Sequence, residues 1–302
     1  MAAKRPNPKK DKSARRRRGP KPGAFSLGVL DPSNAGLAQF SAGDTPPEAV
    51  MPVFLAMTWA GSQSGQRANR CVDACRTLGY ALGEIGVVTE LRATEVIVHD
   101  RRTGAMTRCA PEMPTWRDVE PLPELNGHCI LTLPEQGRWI DATIEQFPGV
   151  RGGPAVGRCG GIVDPRTGAV MAGDALGPRL PQGAHVAIGR GHLMLLYTLS
   201  PDEASARITG HHMIRHTAEE HRRTGLNLLS VVLARAGESA HLAALLRTTP
   251  HPRLHALLDA LAGTSLRRAA NGDALFDLGD GHAVRLDEFD LPADTPSPVT
   301  PA

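Results

Sequence analysis

The stretch "NGHCILTLPEQGRWIDAT", residues 126–143, sets a histidine near one end and an aspartate near the other end of what reads as a β-hairpin. "HCILTLP" and "GRWIDAT" are short, largely apolar runs, and "PEQG" between them carries turn chemistry. Strand side chains alternate between faces, so His128, Ile130 and Thr132 share one face, as do Trp139 and Asp141 on the partner strand. A four-residue loop at 134–137 opposes His128 with Thr143, which makes Asp141 its same-face diagonal neighbour, within side-chain reach. A histidine paired with a carboxylate in rigid register is two thirds of a catalytic triad, and the missing member is a nucleophile.

Upstream, "ANRCVDACRTLGYALGEIG", residues 68–86, repeats apolar residues at Val72, Cys75, Leu78, Leu82 and Ile85, the spacing of an amphipathic helix. Asn69 is the expected N-cap and Gly86 the expected stop. Cys71 falls in the first turn, where oriented backbone N–H groups and a neighbouring imidazole stabilise a thiolate. His128 would hold the thiol proton and Asp141 would fix the imidazole tautomer. Cys75 lies one turn later and faces the core; it is the alternative nucleophile if the helix starts later than expected.

These three pieces together resemble the transglutaminase-like branch of the papain-like cysteine superfamily: a helix opening "CVDA" and ending "LGEIGV", a strand opening "GHCILTL", and a strand ending "RWIDAT". The order Cys, His, Asp fits. The family usually has a small residue before the cysteine, where this chain has Arg70. The resemblance spans about residues 68–147 and implies an α+β fold with a papain-like core, the Cys71 helix packed on an antiparallel sheet. It also implies thioester chemistry, with Cys71 as nucleophile, His128 as base and then acid, and Asp141 as its orienting partner. The reaction would be hydrolysis, deamidation or transfer, on a peptide, a protein side-chain amide or a small amide or ester. Gln66 and Trp59 are candidates for the oxyanion donor that such chemistry needs beside the nucleophile's own N–H.

The remaining sequence bounds the reading. The net charge of +3 hides an asymmetry: Met1 to Pro22 holds ten Lys or Arg and one acid, so the rest of the chain is mildly acidic. A nucleic-acid or anionic partner would therefore contact the tail alone. A non-enzymatic binding protein that keeps the fold and uses this tail is the competing reading. Aromatic residues are 4% of the chain, too few for a stacking platform for single strands. No apolar run reaches the length of a membrane span, and no signal-type segment follows the basic start, so a cytoplasmic protein with reduced thiols is expected. The Ala-, Arg- and Gly-rich composition suits a GC-rich bacterial genome. No cofactor is expected. No metal is expected either: Cys71, Cys75, His128 and Cys129 lack zinc-ligand spacing, and the histidines at 211, 212, 216 and 221 read as a polar helix face.

The expected organisation is a disordered basic tail (1–24), the α+β core (25–200), a helical C-terminal region (201–290) and a second disordered tail (291–302). Within the core, residues 87–100 and 105–110 read as a hairpin, 111–125 as a Pro-rich loop, 148–183 as irregular loops, and "HLMLLYTLS" as a buried strand. Residues 211–237, 241–249 and 251–263 read as three helices.

Overall fold

A computed structural model describes residues 46–63, 70–120, 123–158, 161–163, 170–172 and 182–301. The basic tail, Asn69, Gln66 and Cys159 lie outside the described residues. The fold is mixed α+β, built on an antiparallel sheet with helices packed against it.

Two helices open the described chain. α1 (Pro47–Ser62) is buried without interruption from Ala49 to Met57, so it carries no helical periodicity to recognise. α2 (Cys71–Glu84) is the expected amphipathic helix, with Arg70 at the N-cap. It ends in a Schellman motif: Gly86 adopts φ +82°, its N–H donates to Gly83 O, and Val87 N–H donates to Leu82 O.

The sheet follows. β1 (Glu90–Asp100) is its longest strand and pairs with β2 (Met106–Ala110) as expected. β5 (His128–Leu133) pairs with the earlier half of β1 along the same edge. β6 (Arg138–Asp141) closes the expected hairpin with β5, in the register Leu131↔Ile140, Thr132↔Trp139, Leu133↔Arg138. Three residues beyond Leu131↔Ile140, that register reaches His128 and Thr143. β11 (Leu193–Leu199) takes the other edge of β1. In all, nine of the described strands form one sheet, in the order β7 (Ala155–Arg158), β6, β5, β1, β11, β10 (Ala184–Arg190), β8 (Gly161–Val163), β9 (Val170–Ala172), with β2 beside β1.

Several strands differ from expectation. Within 111–125, β3 (Thr115–Arg117) and β4 (Glu124–Asn126) pair as a small separate sheet rather than forming a loop. In the Gly- and Pro-rich run, the described residues include the short strands β7, β8 and β9 where only irregular loops are expected, and β10 precedes β11. Strands of three or four residues are too short to show alternation; partners distant in sequence define them.

α3 (Asp202–Thr209) leads into α4 (His212–His216) and α5 (Ala218–Glu238), so the single helix expected over 211–237 breaks at Thr217. α6 (Ala240–Leu246) and α7 (Pro252–Ala260) match the other two expected helices. The C-terminal region is not wholly helical. β12 (Ser265–Arg268), β13 (Ala274–Gly279) and β14 (His282–Val284) form a three-stranded sheet, turned by Asp280-Gly281 with both φ positive, as a type I′ hairpin requires. The last residues also depart from the expected disordered tail. Val299 N–H donates to Gly83 O, and Pro301 sits against Gly79. Two glycines one turn apart leave a side-chain-free groove on α2 for this extended segment.

α2 is therefore enclosed. On the sheet side Leu78 and Leu82 pack with Leu91, Leu131 and Leu133, and Leu226 and Leu229 of α5 join the same core. Gly225 lets α5 approach closely, since an added Cβ would lie 2.6 Å from Thr77 O. The opposite sheet face holds a second core of Val96, Ile130, Trp139, Leu195 and Tyr197. Among the described residues no helix is long and apolar enough to cross a membrane.

Candidate active site

The β5–β6 hairpin brings His128 and Asp141 together: His128 Nε2 lies 2.9 Å from Asp141 Oδ2, and each side chain is only 1% exposed. A buried carboxylate needs donors, and Asp141 has four contacts that supply them. Thr143 gives its N–H and Oγ1–H to Oδ1, at 2.8 and 3.0 Å, while Tyr197 OH joins His128 at Oδ2, at 2.8 Å. Burial alone would raise the Asp141 carboxyl, but His128, Tyr197 and Thr143 together hold it below its ordinary value. Tyr197 moves the other way. Burial and the Asp141 charge push its phenol well above its usual range, so it stays a donor.

Burial works against charge on His128, yet Asp141 and Cys71 outweigh it and raise the imidazole to about 10. Cys71 is the first residue of α2 and 4% exposed. Its thiol is shifted well below the ordinary range, chiefly by the Cys129 thiol as donor; burial opposes the shift, and His128 and the Cys129 backbone N–H support it. The pair is thus biased toward thiolate and imidazolium. Because Nε2 is committed to Asp141, Nδ1 is the nitrogen left to exchange a proton with sulfur.

Gln146 stands at that nitrogen. It lies in a short 3₁₀ turn (Ile144–Gln146) directly after the hairpin, with its amide Nε2 3.0 Å from His128 Nδ1 and 3.1 Å from Thr143 Oγ1. Thr143 Oγ1 spends its hydrogen on Asp141, so it can accept from the amide. In this orientation the amide donates to Nδ1 and favours neutral imidazole; turned over, its oxygen would accept Nδ1–H of imidazolium. Phe147 completes the setting, with its ring edge-on to His128 at 5.1 Å between centroids.

The structure therefore brings together Cys71, His128 and Asp141, the residues named from sequence. Cys75 lies one turn deeper on α2, and it is Cys71 that supports the charge on His128. Trp59 is a buried member of the core around α2, and Gln66 lies outside the described residues. Tyr197, Gln146 and Cys129 were not singled out as site residues. Cys129 lies inside the apolar run of β5, Gln146 sits in a short turn with no pattern of its own, and Tyr197 lies on a distant strand whose return to the hairpin leaves no local signal.

The first turn of α2 is itself tied down. Asp73 pairs with Arg70 Nε at 2.7 Å and with His221 Nε2 at 3.1 Å. Burial opposes its ionisation, but His221 and Arg70 keep the carboxyl below its ordinary value. His211 instead stacks on Trp116, with the His212 ring tilted beside it, while His221 pairs with Asp73, so the histidines of 211–221 do not act as one group. Among the described residues, no three His, Cys, Asp or Glu side chains are grouped to hold a metal ion. No family model, curated protein or solved structure matches this chain.

Proposed function

We propose that this protein is a thiol-dependent acyl enzyme with a papain-like, transglutaminase-like core, acting on an amide or ester. The observation that carries the proposal is a cysteine at a helix N-terminus beside a histidine whose far nitrogen is held by a four-fold-bonded buried carboxylate. Cys71 sulfur attacks the substrate carbonyl, and the imidazolium of His128 donates its Nδ1 proton to the departing amine or alcohol. Water or an amine then attacks the thioester, with His128 Nδ1 taking its proton. Asp141 keeps Nε2–H in place throughout, and Tyr197 keeps Asp141 ionised and immobile.

The test is the pH dependence of iodoacetamide alkylation at each cysteine, read by peptide mass mapping of the native protein. Cys71 should react well below the pH of about 8.5 expected of an ordinary thiol, and His128→Ala should remove that advantage. With an activated ester such as p-nitrophenyl acetate, Cys71 should acquire an acyl group that is absent from Cys71→Ala. A Cys71→Ala protein that acylates and turns over like the parent refutes the assignment.

A further inference from the structure

We propose that residues 295–301 form a releasable strap seated on α2, and that its release admits substrate to the buried catalytic residues. The proposal rests on Cys71 being the nucleophile of the function proposed above.

The segment reads "TPSPVTP", three prolines in seven residues. Proline presets an extended backbone and has no N–H to satisfy, so such a segment docks with little loss of conformational freedom and few hydrogen bonds. Two hydrogen bonds tie it to the rest of the described residues: Val299 N–H donates to Gly83 O at 2.9 Å, and Arg253 Nη1 donates to Pro296 O at 3.2 Å. Arg253, near the start of α7, acts as a clamp. Its Nε and Nη2 also donate to Glu84 O at 2.6 Å and Glu84 Oε1 at 2.5 Å, so one guanidinium joins the strap to the last residue of α2. Gly79 and Gly83 make the seat. A Cβ on Gly83 would collide with Val299 O, and one on Gly79 would lie 3.0 Å from the Pro301 ring. Glycine is the weakest helix former after proline, so the helix that carries Cys71 is weakened at the two positions the strap covers.

The seated state carries a built-in cost. Thr89 Oγ1 lies beside the same seat, 3.2 Å from the Gly79 Cβ position, and is buried without a hydrogen-bond partner among the described residues. Release uncovers this hydroxyl to water, which removes an unmet hydrogen bond and offsets part of the lost contact. The seated state is also closed. Cys71 is 4% exposed, and His128 and Asp141 are 1% exposed, so a carbonyl reaches the sulfur only after α2 or its surroundings move. With the strap seated, Val299, Pro301 and Arg253 brace the last turns of α2; with the strap released, a glycine-weakened helix is free to shift.

The experiment compares the full-length parent with Gly83→Ala, Val299→Pro and the double variant. Gly83→Ala puts a methyl group where Val299 O stands, while favouring the helix; Val299→Pro removes the strap's own donor and leaves α2 untouched. Proline-selective 13C labelling reads release, as the Pro301 signals move to random-coil positions. Iodoacetamide alkylation at Cys71 reads access, with Cys109 on β2 as the comparison. Each single variant should release Pro301 and raise the Cys71 rate by about tenfold, the scale of one lost hydrogen bond, at an unchanged pH midpoint. The double variant should be no faster than either single, because both release the same strap. Cys109 should keep its rate. The proposal is overturned if Pro301 stays seated in both variants, if release leaves the Cys71 rate unchanged or lower, if the two effects add, or if Cys109 accelerates equally, which is general loosening. Should circular dichroism show that Gly83→Ala is unfolded, Val299→Pro, which lies outside the helix, decides alone. Alkylation needs no substrate. Faster alkylation on release without acylation by p-nitrophenyl acetate therefore sinks the proposed function alone, and acylation at a rate indifferent to the strap sinks this inference alone.

Discussion

Tyr197 donates its hydroxyl to Asp141 Oδ2 at 2.8 Å, although its strand is separated from that of Asp141 by two others. In a flat sheet three strand spacings amount to about 14 Å, too far for side chains standing perpendicular to the sheet. The sheet must curve to bring β11 over β6, and the second core, which draws on both strands, fills the concave side. The curvature is thus part of the site: it delivers the last donor to a buried carboxylate.

Tyr197→Phe removes that donor and little volume. It should lower stability by about 1–3 kcal/mol, the cost of leaving a buried polar group short of a partner. The urea midpoint should fall at unchanged slope. The Asp141 carboxyl should rise toward its ordinary value, and the alkylation profile of Cys71 should move to higher pH with it. A midpoint identical to the parent would mean that the hydroxyl does not support Asp141.

Stability against pH carries the signature of the dyad. In the unfolded chain His128 loses its proton near pH 6.5 and Cys71 near 8.5. The folded pair holds one proton from the depressed Cys71 value up to about 10, the value for His128. Below 6.5 the unfolded chain binds more protons, so stability rises with pH; between 6.5 and 8.5 the counts match; above 8.5 the folded form holds more, so stability falls. This contribution should therefore plateau between about pH 6.5 and 8.5. Cys71→Ala leaves His128 alone, and its alkaline loss should then begin near 6.5 instead. Urea titrations at a series of pH values, parent against variant, measure the shift; identical profiles would show that the two groups are not coupled.

Gln146 decides which form of His128 is favoured at Nδ1. Gln146→Glu puts a carboxylate where the amide now donates, so it should stabilise imidazolium and move the Cys71 alkylation profile to lower pH. Gln146→Leu removes the competing donor and should move the profile the same way by less, within about tenfold in the ion-pair equilibrium, the scale of one hydrogen bond. A role in packing alone would change the urea midpoint and leave both profiles where they are.

Much of the site was legible in the sequence because its parts are local. α2 declared itself by apolar period and by Gly86, and the β5–β6 register followed from loop length and alternation, placing Asp141 diagonal to His128. The geometry of 2.9 Å between them needs little beyond that hairpin. What the tertiary structure decided is everything that depends on two distant segments meeting. α1 has no polar face to give a period, and the strands β7, β8 and β9 are too short to alternate. The reach of Tyr197 across a curved sheet and the seating of Val299 and Pro301 on Gly83 and Gly79 arise from packing. Backbone periodicity and turn chemistry act over a few residues and are written in the chain; burial and sheet curvature are properties of the whole core, settled only when the segments close on one another.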